Sequence, residues 1–178
     1  MVGVDSGTAD ASGVTIRRFV ENDADAVTEL WRRVFPDNPP HSSPEIKIAK
    51  KRAVQPELFF VARVGATVAG TVMSGYDGHR GWIYALAVSP ELRRRGVGRA
   101  LVRHAEEALA DLGCVKVNLQ IRAGNEQVAD FYRRLGYSVE ERISMGRLLG
   151  VTPRDAGPGS GGGAAQREHD GVKTGGAK

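Results

Sequence analysis

A chain of 178 residues, 41% apolar and 26% charged, has the length and composition of one globular domain with its own core. No stretch approaches the roughly 18 apolar residues of a membrane span, and the start, MVGVDSGTADASGV, lacks the basic residue and apolar run of a secretory signal. Cys114 is the single cysteine, which excludes an intrachain disulfide and fits a cytoplasmic protein, and the net charge of +4 suits an anionic ligand while being too small to argue for nucleic acid.

Residues 1–13 are small and polar and are expected to be disordered. VTIRRF (14–19) reads as a first strand. DADAVTELWRRVF follows with Ala24, Val27, Leu30, Trp31 and Val34 at helical spacing, and Asn22 or Asp23 suits its N-cap. After the breaker PDNPPHSSP, EIKIAKKRAV is a second, shorter helix. ELFFVARV and VAGTVMSGY are strands joined by a tight turn at Gly65–Thr67, and Asp77-Gly78 signals a further hairpin. WIYALAV (82–88) is almost wholly apolar, as in a central strand covered on both faces, and Pro90 ends it.

A third helix starts near Gly98, with Leu101, Ala105, Ala108, Leu109 and Leu112 as its apolar stripe and Gly113 as its stop. CVKVNLQI alternates as a strand. EQVADFYRRL is a fourth helix, with Asn125 as N-cap and Gly136 at its end, and residues 137–149 hold one or two final strands. The order is β-α-α-β-β-β-α-β-α-β-β, one α/β (α+β) domain over residues 14–149 with a mixed sheet flanked by helices. Residues 150–178, rich in glycine and almost free of large apolar side chains, are expected to be disordered.

The segment PELRRRGVGRALV carries the chemistry. An apolar strand runs through a short connection into Gly96 and Gly98, where a helix begins. Amides at a helix start lack intrahelical partners and sit at the positive end of its dipole. Glycine lets that backbone approach a ligand, so the arrangement is an anion site suited to phosphate. A dinucleotide-binding G-x-G-x-x-G is not complete, since its third position is Leu101, and no Gly-Lys-Ser/Thr of a nucleotide loop is present. Arg93, Arg94 and Arg95 form one short basic run with no interleaved aromatic residues.

Arg93-x-x-Gly96-x-Gly98 after an LAV strand, followed by NEQVADFYRRLGY (125–137), resembles the two signatures of the GNAT N-acetyltransferases, and IRRF with DADAVTELW is similar to their first strand and helix. The resemblance covers residues 14–149. It implies acetyl-CoA as cosubstrate and direct acetyl transfer to an amine in a ternary complex. The backbone of Leu86, Ala87 and Val88 would pair with the pantetheine arm. The amides of Arg94, Arg95, Gly96, Val97, Gly98 and Arg99 would hold the pyrophosphate. Asn125 would reach the arm, Tyr132 would protonate the leaving thiolate, and the Val88 amide would polarise the carbonyl. The acceptor would be a small-molecule or polypeptide amine, with no nucleic-acid or membrane partner and no metal. Dimers are common among such domains.

The match fails at the general base. Many relatives place a carboxylate on the LAV strand or five residues before the signature asparagine. Those places hold Trp82, Ile83, Tyr84 and Ala85, and Gln120. Tyr84 and Gln120 are therefore the candidate catalytic residues beside Tyr132, and the gap points to an acceptor amine of low pKa or to a distant acid. Asp77, His79, Arg80 and His41 lie in turns that could face the acceptor, His104 reads as solvated, and Cys114 as a buried inert thiol. No His, Cys, Asp or Glu cluster has metal-ligand spacing. Two rival readings stay open: an acyl-CoA-binding module without turnover, and a nucleic-acid binder using Arg93–Arg95.

Overall fold

The computed structural model describes residues 13–37 and 39–149. Apart from Gly13, the two termini expected to be disordered lie outside the described residues. The described chain falls into two units, with the boundary after Ser138. No helix among the described residues is long and apolar enough to cross a membrane.

The first unit is built on a five-stranded sheet in sequential order: β1 (Val14–Arg18), β2 (Phe59–Val64), β3 (Thr67–Tyr76), β4 (Gly81–Val88) and β5 (Val117–Asn118). The first four strands are antiparallel neighbours, and β5 joins β4 in parallel. Helices α1 (Ala24–Val34) and α2 (Pro44–Ala53) connect β1 to β2, α3 (Val97–Asp111) connects β4 to β5, and α4 (Glu126–Arg133) follows β5.

Each face of the sheet has its own core. Val27, Leu30 and Trp31 of α1 and Ile48 of α2 pack on Phe59, Val61, Met73 and Ala87. On the other face Leu101, Val102, Ala105 and Leu109 of α3 pack on Ile16, Phe60, Val72 and Ile83, with Tyr132 of α4 beside them. Side chains buried to this degree stabilise the fold by about 1.5–3 kcal/mol each. A buried hydrogen bond from Trp31 Nε1 to Thr71 Oγ1, 2.8 Å, fixes α1 over the middle of β3.

Four expectations need correction. Strand β4 is internal to the sheet but not covered on both faces, because Trp82 (37% exposed) and Tyr84 (44%) remain partly open to solvent. The strand expected over 114–121 shortens to two residues. His104 is not solvated but lies edge-on to Phe60, with ring centroids 4.6 Å apart. The final strands expected over 137–149 do not form. In the second unit, residues 139–149 contain no helix or strand, and Val139, Ile143, Met145 and Leu149 are exposed. A strand is stable only when a neighbour takes its backbone bonds, and alternation in the sequence supplies no neighbour.

Asp23 occupies the N-cap position of α1, yet its carboxylate does not cap the helix. It is 1% exposed and accepts two hydrogen bonds from Arg17 (2.7 and 2.9 Å), one from Arg63 (3.1 Å) and one from the Val20 amide (3.0 Å). It thereby joins β1, β2 and the start of α1. Burial opposes its ionisation, but the bonds from Arg17 and Val20 and the charges of Arg17 and Arg63 more than offset this and hold the carboxyl below its ordinary value. A depressed folded pKa means stability that is present above the ordinary carboxyl range and lost as pH falls through the folded value. Asp23→Ala is expected to cost about 3 kcal/mol at pH 7, as when one partner of a buried pair is removed. In denaturant titrations the gap to wild type should narrow as pH drops below about 4; a gap independent of pH would count against this account.

Candidate active site

Strand β4 is irregular where its LAV segment begins. Thr71 pairs with Ala87 and Met73 with Tyr84, so two residues of β4, Ala85 and Leu86, stand against Val72 alone. Ala85 takes up the extra length in a left-handed conformation, φ 51°. Such a bulge bends a strand and increases its twist. On the other side of β4, pairing with β5 covers only Gly81 with Val117 and Trp82 with Asn118. From Ile83 onward, no described strand meets the β5-side edge of β4.

The direction of the free groups follows from the ladder. Ser89 donates its amide to Ala69 O, 2.9 Å, and so faces β3. Successive residues of a strand point their backbone groups to opposite edges. Val88 therefore presents its N–H and C=O to the open edge, and Arg93 Nε approaches Val88 O from that side at 3.4 Å. Leu86, two residues earlier, faces the same way.

Beyond Ser89 the chain makes a 3-10 turn at Pro90–Leu92. Ser89 Oγ and Arg33 of α1 both donate to the Glu91 carboxylate, which braces this turn. Arg94 (φ 60°) and Gly96 (φ 83°) are both left-handed, and alternation of this kind curls successive amides around one point. A Cβ at Gly96 would clash with nothing within 4 Å, so the backbone angle is what requires glycine there. Among the described residues, the amides of Arg94, Arg95, Gly96, Val97, Gly98 and Arg99 make no backbone bond, and Ala100 N to Gly96 O, 2.9 Å, is the first to close the helix. No side chain caps α3, whereas Ser43 caps α2 and Asn125 caps α4. The result is a row of amide donors at the positive end of a 15-residue helix, flanked by the exposed Arg94, Arg95 and Arg99.

Helix α4 stands beside this start. A Cβ on Gly98 would lie 3.4 Å from the Phe131 ring and 3.5 Å from Val88 Cγ2. Gly70 of β3, opposite Val88, is closer still: its Cβ would meet Ala87 O at 2.7 Å and Leu101 Cδ1 at 3.0 Å, so glycine lets α3 seat against the sheet here. Tyr132 is 7% exposed and belongs to the cluster that Leu86 and Val88 pack against. Its ring meets Phe131 and Tyr137 edge-on, at 5.0 and 5.3 Å between centroids. Tyr137 donates its hydroxyl to Glu106, 2.6 Å. Burial, with the charge of Glu106, pushes the Tyr132 phenol well above its ordinary range, so it stays protonated and able to donate.

The structure thus gathers Leu86, Val88, the 94–99 amides and Tyr132 around one end of the sheet. Asn125 is two helical turns from Tyr132, and its side-chain oxygen accepts from Val128 N, 3.4 Å, as an N-cap. Tyr84 lies beside the bulge and donates to Ser74 O, 3.3 Å; burial raises its phenol pKa too. Gln120 is exposed and sits two residues past the end of β5, where pairing has ceased. Asp77 accepts from the amides of His79 and Arg80 (2.8 and 2.6 Å) in its turn. Cys114 is half-buried, donating to Lys116 O at 3.2 Å.

One group was not singled out by its sequence. Lys51 of α2 is 5% exposed, with Nζ 2.6 Å from Ser74 O and 5.8 Å from the centroid of the Tyr84 ring. In AKKRAV it looks like any solvated lysine. Its spacing three residues after Ile48, on the buried stripe with Pro44, was the available signal.

Residues 24–137 match the family described as Acetyltransferase (GNAT) family. An acetyltransferase of Pectobacterium atrosepticum is 40% identical over 134 residues, spanning 75% of this chain and 94% of the relative. Among solved structures, Ard1 from Thermoplasma volcanium superposes with a TM-score of 0.64 at 25% identity, covering 72% of this chain and 84% of that one. The PaiA N-acetyltransferase from Thermoplasma acidophilum, solved in complex with coenzyme A, shares the fold with a TM-score of 0.61 at 19% identity over 73% and 92% of the two chains. The open edge of β4, the uncapped glycine-started helix and these likenesses together show that the chain belongs to the GNAT family of acetyltransferases.

Proposed function

We propose that this protein transfers an acetyl group from acetyl-CoA to a primary amine by direct attack within a ternary complex. The observation that carries this reading is the presence of two backbone surfaces without strand or helix partners, the open edge of β4 at Leu86–Val88 and the amides of residues 94–99. The first fits an extended amide-bearing arm laid down as an added strand. The second fits a diphosphate, and together they suit the two halves of coenzyme A. Bound there, acetyl-CoA supplies an activated thioester. The Val88 N–H then donates to the thioester oxygen and stabilises the negative charge that develops as the amine attacks. Tyr132 supplies a proton to the departing sulfur, and the Asn125 amide group hydrogen-bonds the arm near α4.

Coenzyme A titrated calorimetrically into the wild-type chain is expected to bind. Gly98→Val, which sets a branched side chain against Phe131 and Val88, should weaken that binding at least tenfold; no uptake by the wild type at millimolar ligand would overturn the reading. Tyr132→Phe keeps the buried ring and removes the hydroxyl that would donate the proton. It should lower kcat by about 10- to 100-fold, part of what a general acid contributes, with acetyl-CoA affinity preserved. Unchanged kcat would remove Tyr132 from the chemistry.

No carboxylate occupies Trp82–Ala85 or Gln120, so the acceptor must supply much of its own neutral form. An α-amine of pKa near 7.8 is neutral in about one molecule in seven at pH 7, a lysine amine in about one in a few thousand. Across acceptors of graded amine pKa, kcat/KM at pH 7 is expected to fall as that pKa rises. A preference for high-pKa amines would point to a base elsewhere. Release of free thiol over the same panel separates this reading from a coenzyme-binding module without turnover.

A further inference from the structure

Strand β3 outruns its neighbour. Its last pair with β2 is Met73 with Phe59, while Ser74, Gly75 and Tyr76 continue against Ile83, Trp82 and Gly81 of β4. Side chains from the end of α2 and the turn after it meet the edge that β2 leaves. Lys51 Nζ donates to Ser74 O at 2.6 Å; Gln55 Nε2 donates to Tyr76 O at 2.7 Å, and its Oε1 accepts from Tyr76 N at 3.0 Å. Gln55 holds a left-handed backbone, φ 50°, to do so. Over this edge lies the Tyr84 ring. Its hydroxyl shares Ser74 O with Lys51, and the missing side chain at Gly75 makes room, since a Cβ there would stand 3.3 Å from the Tyr84 hydroxyl.

We propose that Lys51 is a positioning residue for the acceptor side of the site: its ammonium group ties the Ser74 carbonyl to the Tyr84 ring and sets the wall that Tyr84 presents beside the bulge at Ala85. This rests on the acetyltransferase reading above, which places the reacting carbonyl along β4. A lysine is a costly way to fill this position. Its neighbours on the buried stripe of α2 are Pro44 and Ile48, and among the described residues no carboxylate lies within ion-pair distance of Nζ. An apolar side chain would serve packing alone at least as well. The charged and titratable groups around it are Glu57, in the 3-10 turn Pro56–Leu58, and Tyr84, whose phenol is held above its ordinary range. Burial lowers Lys51 to about 8, with the Glu57 carboxylate opposing. The ammonium form therefore dominates at neutral pH and is lost as pH rises through that value.

The test compares wild type, Lys51→Met and Lys51→Arg with one accepted amine between pH 7 and 9.5. Lys51→Met should unfold cooperatively and keep the wild-type affinity for coenzyme A. Its acceptor KM at pH 7 should rise about tenfold, the scale of a lost charged hydrogen bond, with a smaller change in kcat. The KM ratio of variant to wild type cancels ionisation of the acceptor and should fall towards one above pH 8. Lys51→Arg, charged throughout, should restore the KM and abolish the change of ratio with pH. Equal KM values in wild type and Lys51→Met, or a ratio flat with pH, would overturn the proposal. If no amine releases thiol, the acetyltransferase reading fails, and Lys51 is judged on the ring-carbon NMR signal of Tyr84. A midpoint near pH 8 that vanishes in Lys51→Met supports the tie, and identical titrations in both proteins refute it.

Discussion

An unpaired strand edge inside a folded protein is a row of N–H and C=O groups that need water or a partner. Strand β4 carries such an edge because its pairing with β5 ends at Trp82 and Asn118, just before the bulge at Ala85 turns it away. Every other feature of the site follows from this divergence. It exposes Val88 N–H, and it opens onto the start of α3, where another set of amides lacks backbone partners. Backbone suits such a site because its donors are fixed by the sheet and helix and need little reorganisation when charge appears.

Holding that shape requires strain and braces. Among the described residues three non-glycine side chains have positive φ, Gln55, Ala85 and Arg94, and each sits at the site or directly under it. Left-handed backbone at such residues costs on the order of 1–3 kcal/mol and persists only where surroundings enforce it. The enforcing contacts are visible: Trp31 bonds Thr71 beside the bulge, Arg33 and Ser89 hold Glu91 ahead of the loop, and Gln55 clasps both backbone groups of Tyr76. Helix α1 thus serves both as half of a core and as the buttress of the loop.

Charge is divided between scaffold and site. Asp23, with Arg17 and Arg63, is a scaffold ion cluster joining β1 and β2 to α1. Around the loop, by contrast, Arg94, Arg95 and Arg99 are exposed and form a mild positive rim. The buried Tyr132 and the half-buried Tyr137 remain protonated because burial and Glu106 both oppose the phenolate. Lys51 is the exception, a buried cation answered by a carbonyl and an aromatic face.

The order of strands and helices as far as α4, the stop at Pro90, the glycine-started α3 and the Asn125 cap were legible in the sequence because they rest on local periodicity and local backbone chemistry. So was the family resemblance, carried by two short motifs whose spacing survives independent of packing. Decisions about partners were not local. Residues 139–149 were expected to hold strand and form none, Asp23 gave up its capping bond for arginines, one of them 40 residues away, and Lys51 left solvent for Ser74 and Tyr84. Which edge of β4 stays open, and which lysine lies beneath its aromatic wall, depends on contacts between segments far apart in the chain, and only the assembled sheet and helices settle them.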